Sequence, residues 1–262
     1  MLPKKQHEHH YTFSRFGGGI YEGTIVRRGA VLAAGATIVG GGIPLFRKSL
    51  RDESLTLLVA FSAGVLLSTG LNHMVAESFA RAGRWAMFAV SIGFLLLYGY
   101  EKMAMVHACR EQDCHVHNFG GAALIGMGFH SLIDGFAIAV SFELEKALGI
   151  VVVTAVLLHR LPTGISLAAI MLSNHYEKAK AWLTLGAIAT LSVVGAVLGL
   201  LIPFKEHMFL SLAVGLSGGT FLYISTSDLL PLAHENSQDY RVPLAFLVGF
   251  SGILAASLFD KL

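Results

Sequence analysis

Residues 120–142 read GGAALIGMGFHSLIDGFAIAVSF. In this stretch His130 and Asp134 are the only ionisable side chains. A membrane-crossing helix needs roughly 20 mostly apolar residues, and the stretch supplies them. His130 and Asp134 stand four apart, so they project from one face of the helix. Both fall near its middle, where an ionisable group facing lipid costs several kcal/mol. They must face inward and find partners.

Working outward, seven further apolar segments of similar length appear at about 29–46, 55–77, 85–104, 148–172, 180–202, 208–232 and 242–260. The connectors are short and carry most of the charge. The expected fold is therefore an all-α membrane protein of eight transmembrane helices. Residues 1–28 form a polar, partly flexible tail, and 29–262 a single membrane domain. Composition agrees. The chain is 54% hydrophobic and only 14% charged, against about a quarter charged in ordinary soluble domains. Too few charges remain to coat a water-facing surface. The net charge of +2 points to no nucleic acid and no acidic partner. Two cysteines in one short polar stretch, Cys109 and Cys114, make no disulfide framework. Residues 1–28 lack the apolar core of a secretory signal.

A faint internal repeat runs through the segments. Phe61-Ser62-Ala63-Gly64 in the second corresponds to Leu216-Ser217-Gly218-Gly219 in the seventh, and twelve residues on stand His73 and Asp228. Ile43-Pro44 and Ile202-Pro203 close the first and sixth segments; Glu101-Lys102 and Asp260-Lys261 close the third and eighth. Segments 1–3 and 6–8 thus read as related and running in opposite senses, the inverted repeat common among secondary transporters. Segments 4 and 5 are the unrepeated pair in this 3+2+3 scheme.

The fifth segment carries Leu158-His159-Arg160-Leu161-Pro162-Thr163-Gly164. His159 and Thr163 repeat the four-residue spacing of His130 and Asp134. Two imidazoles and a carboxylate at one depth make a site for Zn2+, with Fe2+ or Mn2+ also admissible. The plainer reading is a buried hydrogen-bond network pinning two helices together. Pro162 removes a backbone hydrogen bond, which either frees the carbonyl of Leu158 for a ligand or accommodates packing.

His130-Ser131-Leu132-Ile133-Asp134-Gly135 and His159-Arg160-Leu161-Pro162-Thr163-Gly164 resemble the paired signatures of the ZIP family of metal transporters, H-N-x-x-[DE]-G and H-[NE]-x-P-E-G. The resemblance implies eight spans in a 3+2+3 arrangement with both termini outside the cytosol. Loop charge leaves the orientation open, with eight Lys and Arg on one side and ten on the other. It also implies metal ligation by His130, Asp134 and His159, with Asp228 matching an acidic position of the seventh helix. Ser131, Arg160 and Thr163 depart from the pattern at positions that build a second metal site in some members. A guanidinium cannot ligate a cation and repels one nearby. One metal is therefore expected, with Arg160 occupying the second position and pairing with Asp134 or Asp228, or else snorkelling toward the interface.

Polar residues nearer the segment ends suggest stations on the path. His73 and Glu77 read as an entrance or as ordinary interfacial residues. His107, Cys109, Cys114, His115 and His117, with His234 and Glu235, read as a cytosolic relay or sensor, or as a solvated loop. His7, His9 and His10 are a weaker metal-scavenging candidate. Gly40-Gly41-Gly42 and Gly218-Gly219 read as close helix packing rather than nucleotide loops. The expected function is uptake of a divalent transition metal toward the cytosol, Zn2+ foremost and Fe2+, Mn2+ or Cd2+ next, as substrate and without a cofactor. An intramembrane zinc hydrolase and a metal-sensing receptor would use the same residues. The bilayer and metal ions are the expected partners, with a homodimer as a candidate. An inner or plasma membrane is the expected location.

Overall fold

The computed structural model describes residues 19–46, 52–108, 119–201, 207–235 and 239–259. Among the described residues every regular element is helical. They make eight rods. Helix α1 is Gly19–Phe46. Helix α2 covers 52–82 as Asp52–Ser68, a π-helical segment Thr69–Val75, and Ala76–Ala82. Helices α3 (Arg84–Ala108), α4 (Phe119–Leu144), α5 (Lys146–Ser173) and α6 (Lys178–Leu201) follow. Helix α7 covers 207–235 as His207–Tyr223, a second π-helical segment Ile224–Leu229, and Leu230–Glu235. Helix α8 is Arg241–Phe259.

Six of these rods, α1, α2, α4, α5, α6 and α7, are long and apolar enough to cross a membrane. The described apolar part of α8 is shorter. Helix α3 falls outside the six because Tyr98, Tyr100, Glu101 and Lys102 occupy its second half. Two boundaries differ from expectation. Residues 19–28, read as tail, are helical, and Val26 is buried in one apolar cluster with Ile138 and Ala139 of α4. Helix α2 runs five residues past its expected end at 77. Gly83, at φ 55°, stops it by sending its N–H to the carbonyl of Phe79 at 2.9 Å, the left-handed ending that glycine favours. Residues 1–18, and with them the histidine tail, lie outside the described residues, as do Pro203 and Asp260 of the repeat.

Apolar side chains cover the outside of the molecule as well as its core. Large apolar side chains such as Leu32, Leu95, Leu96, Leu183 and Leu247 are exposed, while Ser62, Arg160, Ser166 and Ser192 are buried. Lipid suits such an exterior, and inside, Ser62, Ser166 and Ser192 donate to carbonyls of their own helices.

Packing sorts the rods into two groups. Helix α1 lies against α5 and α6, and α4 against α6. Helix α2 lies against α8, and α3 against α7. The closest approaches use glycine. A Cβ at Gly40 would strike the Leu161 carbonyl of α5, and one at Gly135 the Ser192 carbonyl of α6. Gly64 meets Phe246 of α8, and Gly93 meets Leu216 of α7 in the same way. Across the seam between the groups, α5 packs on α2 and α4 on α7. Glu145 alone joins α4 to α5, in extended conformation (φ −158°, ψ 135°), so the two helices double back on each other.

Candidate metal site

The α4–α5 hairpin brings its polar residues together at the seam. One ligand atom from each of His130, Asp134 and His159 lies within 4.8 Å of the others, and all three residues are buried. Asp134 Oδ2 is the hub. His159 Nε2 lies 2.9 Å from it, His130 Nε2 3.4 Å, and Arg160 Nη2 3.1 Å. The hairpin makes this arrangement possible. Ser131 and Asp134 precede Glu145 by nearly as many residues as His159 and Arg160 follow it, so antiparallel helices set them at one level.

His130 is 1% exposed, and neither ring nitrogen has a hydrogen-bond partner. Its ring stands edge-on to Phe221 of α7 at 4.5 Å between centroids. A buried imidazole with both nitrogens unsatisfied is costly, and a metal ion is a partner that would satisfy one. The rings of His130 and His159 are 5.5 Å apart, and the ring of His73 lies 5.6 Å from His159. Three imidazoles from α2, α4 and α5 thus gather at the seam. The spacing of His73 in the sequence placed it near a helix end; the π-helical segment around it is what its neighbours do not announce.

A cleft of about 70 Å3 reaches the site from one end of the molecule. His73, Glu77, Arg81, His130 and Asp134 line it, together with Leu148 of α5. Glu77 pairs with Arg81 at 3.1 Å and lies 3.9 Å from His73 Nε2. The mouth lies at the α4–α5 connector, where Leu144 also lines it.

Arg160 takes Asp134 as its anion, the first of the two candidates. Its Nη1 donates to Ser131 Oγ at 2.6 Å, and Nη2 to the Ser131 carbonyl at 3.1 Å. Thr163 is buried, and its hydroxyl donates to the carbonyl of His159 one turn back at 2.6 Å. Asp228 does not join the cluster. It sits in the π-helical segment of α7, seven residues and so about 10 Å of helix beyond Phe221. Both its oxygens are buried without a hydrogen-bond partner. Its electrostatic neighbour is Glu101 of α3, which accepts a hydrogen bond from the Tyr223 hydroxyl at 2.5 Å. In the sequence Glu101 stands out only as a repeat marker and Tyr223 carries no signal of its own; a carboxylate before a span's last turn is the available sign. His234 is exposed, with Nδ1 2.8 Å from the Leu230 carbonyl. Cys109, Cys114, His115 and His117, and the side chains of His107 and Glu235, lie outside the described residues.

Nitrogen and carboxylate donors gathered between apolar helices define a membrane-embedded helical protein with a buried His/Asp cluster at its seam that could hold a metal ion. The family model described as ZIP Zinc transporter matches residues 107–259, more than half of the chain, and the protein belongs to that family. It is an integral, multi-pass membrane protein. The chain is 26% identical over 259 residues to zinc transporter YKE4 of Saccharomyces cerevisiae, covering 84% of this chain and 75% of that one. It is 26% identical over 263 residues to zinc transporter ZupT of Nitratidesulfovibrio vulgaris, covering 88% and 95%. Over 132 residues it is 30% identical to zinc transporter zipt-7.2 of Caenorhabditis elegans, covering 47% of this chain but only 28% of the nematode protein.

Proposed function

We propose that this transporter moves a divalent transition metal, Zn2+ before Fe2+, Mn2+ or Cd2+, toward the cytosol of a cell bounded by the membrane it spans. The path runs through a mononuclear site made by His130, Asp134 and His159. The observation that carries the reading is the convergence of two imidazoles and a carboxylate within 4.8 Å, buried between apolar helices. The donor set suits Zn2+, which takes imidazole nitrogen and carboxylate oxygen. The names of the yeast and bacterial relatives support zinc in particular. Arg160 fills the place of a second metal, and its charge at 3.1 Å from Asp134 opposes a second divalent ion.

All eight rods are taken to cross the bilayer in the 3+2+3 scheme. Its support is the packing. Exchanging α1 with α6, α2 with α7, α3 with α8 and α4 with α5 maps the α1–α5 contact onto α6–α4 and the α2–α8 contact onto α7–α3. The same exchange relates the two π-helical segments. With both termini outside the cytosol, the cleft past His73 and Glu77 is the entrance, and Glu101 and Asp228 lie on the cytosolic side of the site. Uptake of radioactive zinc, iron, manganese and cadmium into proteoliposomes tests the reading. His130→Ala and His159→Ala are each expected to reduce zinc uptake at least tenfold, that is by 1.4 kcal/mol or more; uptake unchanged in both removes the site.

A further inference from the structure

The cluster at the seam contains two kinds of side chain. His130, Asp134 and His159 can ligate a metal. Arg160 and Ser131 form a second set that holds a fixed positive charge beside it. Arg160 is 1% exposed. Among the described residues its partners belong to α4: the hydroxyl and carbonyl of Ser131 and the carboxylate of Asp134. The guanidinium therefore shares Asp134 Oδ2 with both imidazoles, at 3.1, 2.9 and 3.4 Å.

Charge accounting gives this geometry a consequence. A lone carboxylate at the centre of a bilayer is costly to bury, and a paired one much less so. A carrier that moves a cation one way must return with its site empty. A site holding an unpaired Asp would return only with another cation aboard. Here the returning site already holds one, because Arg160 sits against Asp134 and cannot lose its proton in a protein. The fixed charges sum to zero without a second ion.

The two contacts to Ser131 matter as much as the contact to Asp134. When a metal takes Asp134 Oδ2, the guanidinium keeps a hydroxyl and a carbonyl to donate to and need not leave. Both halves of the device stand on the same helical hairpin, joined through Glu145 alone, so the counter-charge stays with the site whatever that hairpin does.

We propose that Arg160 is a tethered counter-cation that lets the empty carrier return without a coupling ion, making the protein a metal uniporter. The proposal rests on the transport reading above. It assigns Arg160 a positioning and charge-balancing role, and Ser131 the role of its seat.

The test separates net uptake from exchange. Purified protein is reconstituted in liposomes at one neutral pH on both sides with the membrane potential clamped. Radioactive zinc entry is then measured into zinc-free vesicles and into vesicles preloaded with unlabelled zinc. Exchange uses only the loaded carrier, whereas net uptake requires the empty one to return. Arg160→Gln is expected to lower net uptake at least about tenfold more than it changes exchange, the signature of an unpaired buried carboxylate. Arg160→Lys, which keeps the charge, is expected to restore most of the net uptake. Parallel loss of both rates in Arg160→Gln, or unchanged net uptake, overturns the proposal. If Arg160→Gln does not fold, the native protein still decides. Net uptake must proceed with no proton or sodium gradient and must quicken as the interior is made negative; a requirement for either gradient overturns the proposal. His159→Ala serves as the separate control. Loss of neither rate there would defeat the site itself, whatever Arg160 does.

Discussion

Asp134 is the residue on which the site turns, since three nitrogens converge on its Oδ2. Its replacement by Asn keeps the shape and removes the charge, leaving the Arg160 guanidinium buried with Ser131 alone. Breaking one side of a buried ion pair costs about 3–5 kcal/mol. Asp134→Asn is therefore expected to lower the unfolding temperature in detergent and to abolish zinc binding. Adding Arg160→Met should recover much of the stability and none of the binding, because it removes the stranded charge but returns no ligand. Thermal unfolding and zinc titration of the single and double variants check this; a double variant no more stable than Asp134→Asn defeats the pairing argument. The gathering of His130, Asp134 and His159 was legible in the sequence, because ionisable residues mid-span must turn inward and the four-residue spacing fixes which share a face. The choice of Asp134 over Asp228 for Arg160 was not. It depends on how α5 is rotated against α4, and no local pattern encodes that. Thr163 illustrates the same limit, since its spacing from His159 reads as a shared ligand face while its hydroxyl donates to its own helix.

At the scale of elements, glycine decides how near two helices come. Gly135 lies so close to α6 that an added Cβ would overlap the Ser192 carbonyl, and Gly195 stands likewise against the Leu132 carbonyl of α4. Gly186, on the same helix α6, has nothing within 4 Å of where its Cβ would lie. Gly135→Ala is expected to push α4 from α6 and destabilise the protein by about 1–3 kcal/mol, the usual cost of overpacking. Gly186→Ala is expected to be neutral or stabilising by up to about 1 kcal/mol, since it only removes backbone freedom. Unfolding of both variants in one detergent distinguishes the sites, and equal effects would mean that the close approach carries no energy. The sequence announced close packing through Gly40-Gly41-Gly42 and Gly218-Gly219, and it announced all eight rods through their apolar runs. It did not announce the partners, which depend on contacts far apart in the chain. The π-helical segments were also hidden. Thr69–Val75 and Ile224–Leu229 hold no proline and no unusual composition, and the extra residue per turn shows only in the backbone. The weak match of His73 with Asp228 was their trace.

For the whole molecule, the two helix groups meet along the seam that holds the site, and the cleft opens toward one end only as far as His130 and Asp134. Val152 and Ala155 of α5 line this cleft, whereas Ser225 of α7 is buried on the far side of Phe221, at 2% exposure. Access should therefore be one-sided in the conformation described here. With Cys109 and Cys114 replaced by Ser, a cysteine placed at Val152 is expected to react with a membrane-impermeant maleimide added from the cleft side. One at Ser225 should react at least about tenfold more slowly, because burial of this degree removes nearly all access to the thiol. Zinc is expected to slow the reaction at Val152, since an ion held by His130, Asp134 and His159 sits at the inner end of the same cleft. The two positions reacting alike would mean that the path is open through the seam, and protection by zinc at neither would mean that the metal enters by another route. The result bears on direction as well. Labelling from the face that also exposes an added N-terminal tag would put the cleft and the chain's start on one side, as an even number of spans with both termini outside the cytosol requires.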